Sequence, residues 1–384
     1  MSRAALAAAL PRSAEIVDDV RRRRDEALLE WSERLDGERP DPIRVAPEVL
    51  AAARLDNPAL VAVRALADAV RVVHAAQRPR DTVVEAVPGV QVERRFVPLD
   101  SVGIYVPGGR APLASSLVMA VVPAQVAGIR RIAIATPRPA PAVLATAREL
   151  GLDEVYAVGG AQAIGALAYG TESVPRVDKI VGPGNAWVAA AKLVVSADVA
   201  IDLPAGPSEV VVVADETADP ALCAADLLAQ AEHGDDSSAL LLTTSAALAS
   251  ATRALANGRV QVELTASLEE ALARADEYAP EHLELLVADP EAALARVRNA
   301  GSVFLGTAAP AVLGDYASGA NHVLPTGGLA RGAGGLGLET FLKPVQVVRA
   351  TLDGLARVRE TVAALAALEG LPLHAAAVEA RFAG

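Results

Sequence analysis

The chain has 384 residues, of which 52% are apolar, and a formal net charge of −12. Its length allows two or three folded units with sizeable cores, and its acidity argues against nucleic acid as a partner. The single cysteine excludes an intrachain disulfide. No apolar run approaches the roughly 20 residues of a membrane span, and the first residues make a poor signal peptide. We therefore predict a cytoplasmic protein that binds neither membranes nor nucleic acid.

The predicted elements begin with helices and continue as two series of alternating strands and helices. Apolar residues near helical spacing predict helices from residue 13 to about 80. Strands are predicted at 102–106, 129–135, 154–158 and 178–181, with helices at 142–150, 163–168 and 186–195. A second series has strands at 209–213, 238–243, 283–287 and 302–305, and a helix that begins at Asp219-Pro220 and ends at His233-Gly234. Helices return from about residue 354. This alternation predicts an α/β fold with parallel sheets covered on both faces.

Three glycine turns follow predicted strands and open predicted helices: Pro107-Gly108-Gly109, Gly159-Gly160 and Gly182-Pro183-Gly184. Free backbone N–H groups at such helix starts attract phosphate. Glycine also simply permits a tight turn, and Asn185 simply caps a helix, so both interpretations stay open here. The segment Gly332–Gly337 fits the pattern G-x-G-x-x-G, but it follows no strand, and we predict a loop there.

Four of the five histidines have acidic or amide neighbours, in the groups Gln230/His233, Glu281/His282, Asp315/His322 and Glu369/His374. Gln230 and His233 share one helix face. No standard zinc spacing is present, and a lone histidine is more often a surface or core group. Spacing alone therefore leaves a His/Asp/Gln metal site as a hypothesis, for which Zn²⁺, Mn²⁺ and Co²⁺ are about equally suited. Cys223 lies near leucines within a predicted helix, and we predict a buried structural thiol.

Seven short motifs occur in order along the chain, and together they resemble those of histidinol dehydrogenases. They are GIYVPGG (103–109), GGAQAI (159–164), VDKIVGPGN (177–185), AGPSEV (205–210), QAEH (230–233), APEH (279–282) and GDYASGANHVLPT (314–326). The resemblance runs from about residue 14 to the end of the chain. Each motif is weak alone, but the ordered set is specific.

The resemblance implies a four-electron oxidation of L-histidinol, through an enzyme-held aldehyde, to L-histidine with two NAD⁺. It implies one Zn²⁺ per subunit, held by Gln230, His233, Asp315 and His374. Glu281 and His282 resemble the acid–base pair. The implied NAD contacts are Tyr105, Gln162 and Asn185, and the implied substrate contacts are Ser208, Gln230, His233, His282, Asp315, His322, Glu369 and His374.

The chemistry of these residue types agrees with the implied roles. Removal of hydride from an alcohol requires its proton to leave as well, and a histidine with a pKa near neutrality is a suitable base. The second oxidation requires water to add to the aldehyde, and Glu281 resembles the residue that activates this water. Zinc would hold the amine and imidazole nitrogens of the substrate and so orient its carbinol carbon.

The resemblance also implies two related, incomplete Rossmann-like units with parallel sheets, small helical terminal pieces and an intertwined homodimer. We expect residues 1–21 as an N-terminal helical piece. Residues 22–104 and 210–328 would form the first α/β unit, with the catalytic and metal residues. Residues 105–209 would form the second α/β unit, on the NAD side, and residues 329–384 a tail that contributes to the partner's active site.

Two alternatives remain at this point. The first is a paralogue that oxidises another small polar alcohol, such as a sulfonated diol, with the same machinery. Glu369 and His374 favour histidinol, because their region resembles the part that recognises the amino-acid end of the substrate. The second alternative is a catalytically inactive, metal-stabilised binding protein. The adjacent Glu281 and His282 argue against it, since binding alone needs neither base.

Overall fold

The computed structural model describes residues 3–108, 113–204, 206–234 and 237–383. The chain divides into two compact units. The larger unit consists of Met1–Gln77 and Leu99–Phe341, and the smaller unit consists of Arg78–Pro98 and Leu342–Gly384. Within the described ranges, no helix combines the length and the apolar character needed to cross a membrane.

The described residues form fifteen α-helices and thirteen β-strands. The helices are α1 (Arg3–Arg23), α2 (Asp25–Asp36), α3 (Pro47–Ala52), α4 (Asn57–Ala76), α5 (Ala114–Ala127), α6 (Pro141–Glu149), α7 (Gly160–Tyr169), α8 (Ala186–Val195), α9 (Pro220–Ala231), α10 (Ala246–Leu255), α11 (Leu268–Tyr278), α12 (Pro290–Leu294), α13 (Ala311–Tyr316), α14 (Leu352–Leu368) and α15 (Pro372–Glu379). The strands are β1 (Thr82–Val87), β2 (Val90–Pro98), β3 (Ser101–Tyr105), β4 (Arg131–Ala135), β5 (Val155–Tyr156), β6 (Lys179–Val181), β7 (Ala200–Ile201), β8 (Glu209–Ala214), β9 (Ser238–Thr243), β10 (Gln261–Leu264), β11 (His282–Leu286), β12 (Ser302–Leu305) and β13 (Leu342–Ala350).

Local sequence explains where several of these helices begin and end. Asp219 caps α9, since its side chain accepts a hydrogen bond from the amide of Ala221. Pro220 occupies the first turn, where a missing N–H costs nothing. Gly37 ends α2 in the left-handed conformation, with a φ of 73°. These signals are local, and the corresponding helices were predicted.

The larger unit contains two five-stranded parallel sheets with the same strand order. The orders are β5-β4-β3-β6-β7 and β10-β9-β8-β11-β12, and all the pairings are parallel. Counted within each sheet, both read 3-2-1-4-5, which is the Rossmann order 3-2-1-4-5-6 without its sixth strand. The predicted fold class of two related Rossmann-like units with parallel sheets is therefore confirmed.

Helices α1 and α2 pack against α7 and α8, beside the first sheet. Ile16, Leu28 and Trp31 lie in one hydrophobic core with Ile164 and Val188. The apolar faces of α1 and α2 fit against apolar residues of α7 and α8. The division expected from the sequence, with residues 22–104 joined to 210–328, stays a prediction.

The smaller unit is a three-stranded antiparallel sheet with α14 and α15. Its strand order is β1-β2-β13, and β2 pairs with β13 over the full length of both strands. We expected a tail that starts at residue 329; here the unit starts at 342 on that side and includes the hairpin of β1 and β2. Leu368 and Leu373 are 82% and 80% exposed in this unit.

Candidate active site

Glu281 and His282 lie at the amino end of β11, and both are buried, with 5% and 4% exposure. Strand β11 pairs with β8 on one side and β12 on the other, which places His282 beside Val210 and Ser302. Gly301 is required for this close approach, because a Cβ there would lie 2.6 Å from the carbonyl oxygen of Glu281. The pair therefore lies at the amino edge of the second sheet.

Helix α9 brings Gln230 and His233 toward the same edge. It follows β8 and precedes the parallel strand β9, so its carboxyl end returns to where these strands begin. Gln230 is buried, and its Nε2 has no hydrogen-bond partner among the described residues. His233 is exposed, and its Nδ1 lies 3.3 Å from the carbonyl oxygen of Gln230. Because a carbonyl only accepts, we assign the proton to Nδ1, which leaves the lone pair on Nε2.

Asp315 and His322 are joined by a short loop that follows α13. Nδ1 of His322 lies 3.2 Å from the carbonyl oxygen of Asp315 and 3.7 Å from its Oδ1. Nε2 of His322 lies 3.1 Å from Oγ of Ser116 and accepts its hydroxyl proton. Ser116 is a contact that the sequence did not predict. Its one signal is a hydroxyl at a buried position of the mostly apolar helix α5.

Hydrogen bonding determines which nitrogen of His282 can act as a base. Nδ1 lies 3.2 Å from the carbonyl oxygen of Glu209 and 3.6 Å from Oε2 of Glu281. Since the carbonyl accepts, Nδ1 carries the proton and Nε2 carries the lone pair. Nε2 is buried and has no partner in the described part of the chain. Burial lowers the pKa of His282, although Asp315 acts in the opposite direction, so the neutral imidazole is the resting form.

The carboxyl group of Glu281 is buried, and two other acidic side chains lie near it. Its Oε2 accepts a hydrogen bond of 2.8 Å from the amide of Glu209, and the side chain of Ser208 also bonds to it. Burial raises the pKa of Glu281 to about 8, and the carboxylates of Glu209 and Asp315 act in the same direction. A carboxyl with such a pKa can both take up and release a proton near neutral pH.

Glu209 supports both members of the pair and was missed in the sequence. Its amide binds Glu281, its carbonyl binds His282, and its carboxylate accepts the amide of Gly327 at 3.1 and 3.2 Å. The available signal was a glutamate at the head of the valine run Val210–Val213, where a buried strand rarely carries a charge.

Tyr105, Gln162 and Asn185 lie at or just beyond the carboxyl edge of the first sheet. Between β3 and β6 the strand order reverses, and ligands bind outside such a point. The hydroxyl of Tyr105 accepts the amide of Gly160 at 3.2 Å, Gln162 donates to Asp36 at 2.9 Å, and Asn185 caps α8. All three thus have structural contacts, and their contact with NAD stays a prediction.

A buried ion pair holds the turn at Gly182. Lys192 is 1% exposed and pairs with Asp202. Oδ2 of Asp202 accepts the amide of Gly182 at 2.7 Å, while Nζ of Lys192 donates to the carbonyl of Gly182 at 3.0 Å. Gly182 has a φ of 111°, and a Cβ there would overlap the carbonyl oxygen of Tyr105. The pair and the glycine together set the shape of this turn.

Comparison with known proteins identifies the family. Residues 2–382 match the family model described as histidinol dehydrogenase. The chain belongs to the histidinol dehydrogenase family. It is 45% identical to a histidinol dehydrogenase of Thermobifida fusca, over 98% of this chain and 92% of that protein, and 47% identical to one of Halobacterium salinarum, over 96% and 92%. The crystal structure of histidinol dehydrogenase from Elizabethkingia anophelis superposes with a TM-score of 0.92 at 37% identity, covering 96% of this chain and 91% of that one.

Two further residues implied by the histidinol dehydrogenase resemblance lie in the smaller unit. Glu369 directly follows α14 as its C-cap residue, His374 lies in α15, and both are exposed. Across the described ranges, no three His, Cys, Asp or Glu side chains converge as a metal-binding group. The larger unit contributes one amide, one imidazole and one carboxylate to the implied set, in Gln230, His233 and Asp315.

Two predictions about residues outside the site are confirmed. Cys223 is buried, and burial raises the pKa of its thiol to about 12, so it stays protonated. Gly332–Gly337 follows a 3₁₀ turn at Leu329–Arg331 and contains neither strand nor helix.

Proposed function

We propose that the chain is a cytoplasmic enzyme that oxidises L-histidinol to L-histidine through L-histidinal, with two NAD⁺, in the last steps of histidine biosynthesis. The observation that carries this proposal is the pairing of two different bases at adjacent positions, Nε2 of His282 and the carboxyl of Glu281. Two successive oxidations each release protons, and the pair offers one base for each. Family membership and the named relatives support the choice of substrate.

In the first oxidation, His282 takes the proton of the substrate hydroxyl on Nε2 as hydride leaves the carbinol carbon. The bond from Nδ1–H to the carbonyl of Glu209 keeps Nε2 as the acceptor. The resulting imidazolium is stabilised by the nearby carboxylate of Asp315. The products are the aldehyde and one reduced nicotinamide.

In the second oxidation, water adds to the aldehyde carbon and Glu281 takes up the proton that this water loses. The resulting hydrate anion then loses hydride from the same carbon and a proton from its remaining hydroxyl, which leaves the carboxylate. The balance for the whole reaction is one alcohol, one water and two NAD⁺ giving one carboxylate, two NADH and three protons. Glu281 can act in this way because the hydrogen bond that its carboxyl accepts from the backbone amide of Glu209 holds it beside His282.

When bound, NAD accepts the hydride of each step, and a divalent metal orients the amine and imidazole nitrogens of the substrate. We propose Zn²⁺ at Gln230, His233, Asp315 and His374. The side-chain amide of Gln230 is buried, and its Nε2 has no hydrogen-bond partner among the described residues. A rotation of this amide by 180° exchanges its nitrogen and oxygen, and the oxygen would then occupy this position as a metal ligand. His233 fits as well, because its Nδ1–H is bound to a carbonyl and the lone pair is left on Nε2, as in most histidine ligands.

We also propose that the enzyme is a homodimer in which Glu369 and His374 complete the site of the partner subunit. Both residues are exposed. Leu368 and Leu373, directly before them in the sequence, are large apolar side chains that are also exposed. This supports coverage of the smaller unit by a second copy.

The deciding experiment is the amount of NADH formed for each L-histidinol consumed. The proposal expects two NADH from L-histidinol and one from supplied L-histidinal. A yield of one NADH from L-histidinol, with the aldehyde as final product, would contradict it. A paralogue with another substrate would release NADH from a different polar alcohol and none from L-histidinol.

A further inference from the structure

Two carboxyl groups that the proposed reaction does not use lie next to the site. Asp226 is on α9 and Glu284 is on β11, and the two carboxyls lie close enough for each to shift the pKa of the other. Glu284 is 1% exposed, and its Oε2 meets no hydrogen-bond donor among the described residues. Ionised carboxylates only accept hydrogen bonds, so a bond between these two groups requires a proton on one of them.

The other oxygen of Glu284 reaches a third element. Its Oε1 accepts a hydrogen bond of 2.5 Å from the amide of Ala311, the first residue of α13. Helix α13 also packs against both α9 and β11. Burial raises the pKa of Glu284 to about 8, and the neighbouring charge of Asp226 acts in the same direction. Glu284 therefore bonds β11 to α13 and lies beside a carboxyl of α9.

Each of the three elements also carries a residue of the proposed site, at a fixed offset from the link. Gln230 follows Asp226 by four residues, so both lie on one face of α9. His282 precedes Glu284 by two residues, so both side chains leave the same face of β11. Asp315 follows the linked amide by one helical turn in α13.

We propose that Asp226 and Glu284 are a positioning pair that shares one proton and holds Gln230, His282 and Asp315 in their relative places. The pair touches no reacting atom and acts through the elements it joins. The inference rests on the proposed assignment of the site residues. Two ionised carboxylates at this position would repel each other, which is why the shared proton is part of the inference.

Three substitutions separate this role from ordinary core packing. Glu284→Gln reproduces the protonated carboxyl, because its amide oxygen accepts from Ala311 and its amide nitrogen donates to Asp226. Glu284→Ala removes both links. Cys223→Ala is the matched control, since Cys223 is buried on the same face of α9, in the neighbouring core, and makes neither link.

The first readout is amide hydrogen exchange of the peptide that contains α13, measured on the full-length protein without metal or substrate. Glu284→Ala should exchange about tenfold faster than wild type, because the amide of Ala311 loses its acceptor. Glu284→Gln should stay within about threefold of wild type, and Cys223→Ala should match wild type. Equal exchange in Glu284→Ala and Cys223→Ala overturns the positioning role, and equal exchange in Glu284→Gln and Glu284→Ala overturns the shared proton.

The second readout is the affinity for Mn²⁺, together with kcat and KM for L-histidinol. Glu284→Ala should bind Mn²⁺ about 10–100-fold more weakly, as expected when the support of a metal ligand is lost, and Glu284→Gln should restore most of that affinity. Mn²⁺ affinity that is unchanged in Glu284→Ala contradicts the inference. If Glu284→Ala does not fold by circular dichroism, Asp226→Ala replaces it and Asp226→Asn becomes the conservative partner, with the same expectations.

The two proposals can fail separately. A wild-type protein that does not oxidise L-histidinol, yet shows the expected exchange pattern, removes the proposed function and supports the pair. Normal histidinol oxidation with slow α13 exchange in Glu284→Ala removes the pair and leaves the function in place.

Discussion

Replacement of Glu281 by glutamine should separate the two oxidations. The substitution keeps an oxygen that can accept the amide of Glu209, now at 2.8 Å, and removes the ability to take a proton from water. Loss of one general base slows its step by roughly 10²–10⁴-fold. We therefore expect this loss in the oxidation of supplied L-histidinal, while oxidation of L-histidinol to the aldehyde, which uses His282, changes little.

The pH dependence of this step follows from the pKa of Glu281, which burial raises to about 8. At pH 7 about one-tenth of the groups are ionised, so wild-type histidinal oxidation should rise about tenfold per pH unit below that value and level off above it. In Glu281→Gln the slow residual rate should not follow this profile.

The raised pKa of Glu281 also predicts how the free energy of unfolding depends on pH. In the unfolded chain a glutamate ionises near pH 4.3, whereas in the folded protein Glu281 holds its proton up to about pH 8. The folded state binds more protons between these values, so this group's contribution to the free energy of unfolding falls as pH rises through that window. From pH 5 to 8 the fall is on the order of 4 kcal/mol in metal-free protein. Glu281→Gln should lack it, and should be more stable than wild type at pH 8.

Single-turnover mixing with NADH absorbance as the signal measures the two half-reactions separately. Glu291→Gln serves as the control, because Glu291 is an exposed carboxylate on α12, and it should alter neither half-reaction. Equal slowing of both half-reactions in Glu281→Gln would refute the division of labour. A variant that is less stable than wild type at pH 8 would show that the argument about its buried charge is wrong.

Three further predictions concern the metal, the dimer and the turn at Gly182. Prolonged chelation should abolish histidine formation and added Zn²⁺ or Mn²⁺ should restore it; full turnover by protein shown to be metal-free by elemental analysis contradicts this. Co-expressed Glu281→Gln and His374→Asn chains should form histidine at about a quarter of the wild-type rate, because half of random dimers are mixed and one of their two sites is intact. Mixed dimers that stay inactive contradict a shared site. Lys192→Met should lower the free energy of unfolding by about 3–5 kcal/mol, since it leaves Asp202 buried and unpaired. Arg274→Met removes an exposed ion pair and should lower the free energy of unfolding by less than about 1 kcal/mol. If denaturant titrations show that Lys192→Met and Arg274→Met lower it equally, the argument about the buried pair is contradicted.

Much of the fold could be predicted because its signals are local. Buried parallel strands are nearly continuous apolar runs, so β8 was predicted at 209–213 and lies at Glu209–Ala214. Helix α8 has the predicted bounds, Ala186–Val195, since Asn185 caps it directly. The family followed from motifs in order along the chain, and the family model confirmed it.

Other features depend on contacts between distant segments, and no local pattern encodes them. Strand β13 pairs with β2, more than two hundred residues earlier, and α2 packs beside the first sheet. The sequence of β1 and β2 does not predict a third strand beside them, because the residues of both strands are exposed or half-buried. The expected division of the chain depends on such contacts and stays a prediction.

The sequence by itself determined the fold class, the family and which polar residues to consider. Only the tertiary structure decided how they meet. The carbonyl of Glu209 sets the tautomer of His282 across 73 residues of sequence, and the hydroxyl of Ser116 reaches His322 across 206. The first pairing arises because the parallel strands β8 and β11 bring their amino ends to one edge of a sheet, and the second joins a helix to a distant loop. A histidine has no preferred base nitrogen of its own, and the carbonyl that folding places beside Nδ1 leaves Nε2 to act.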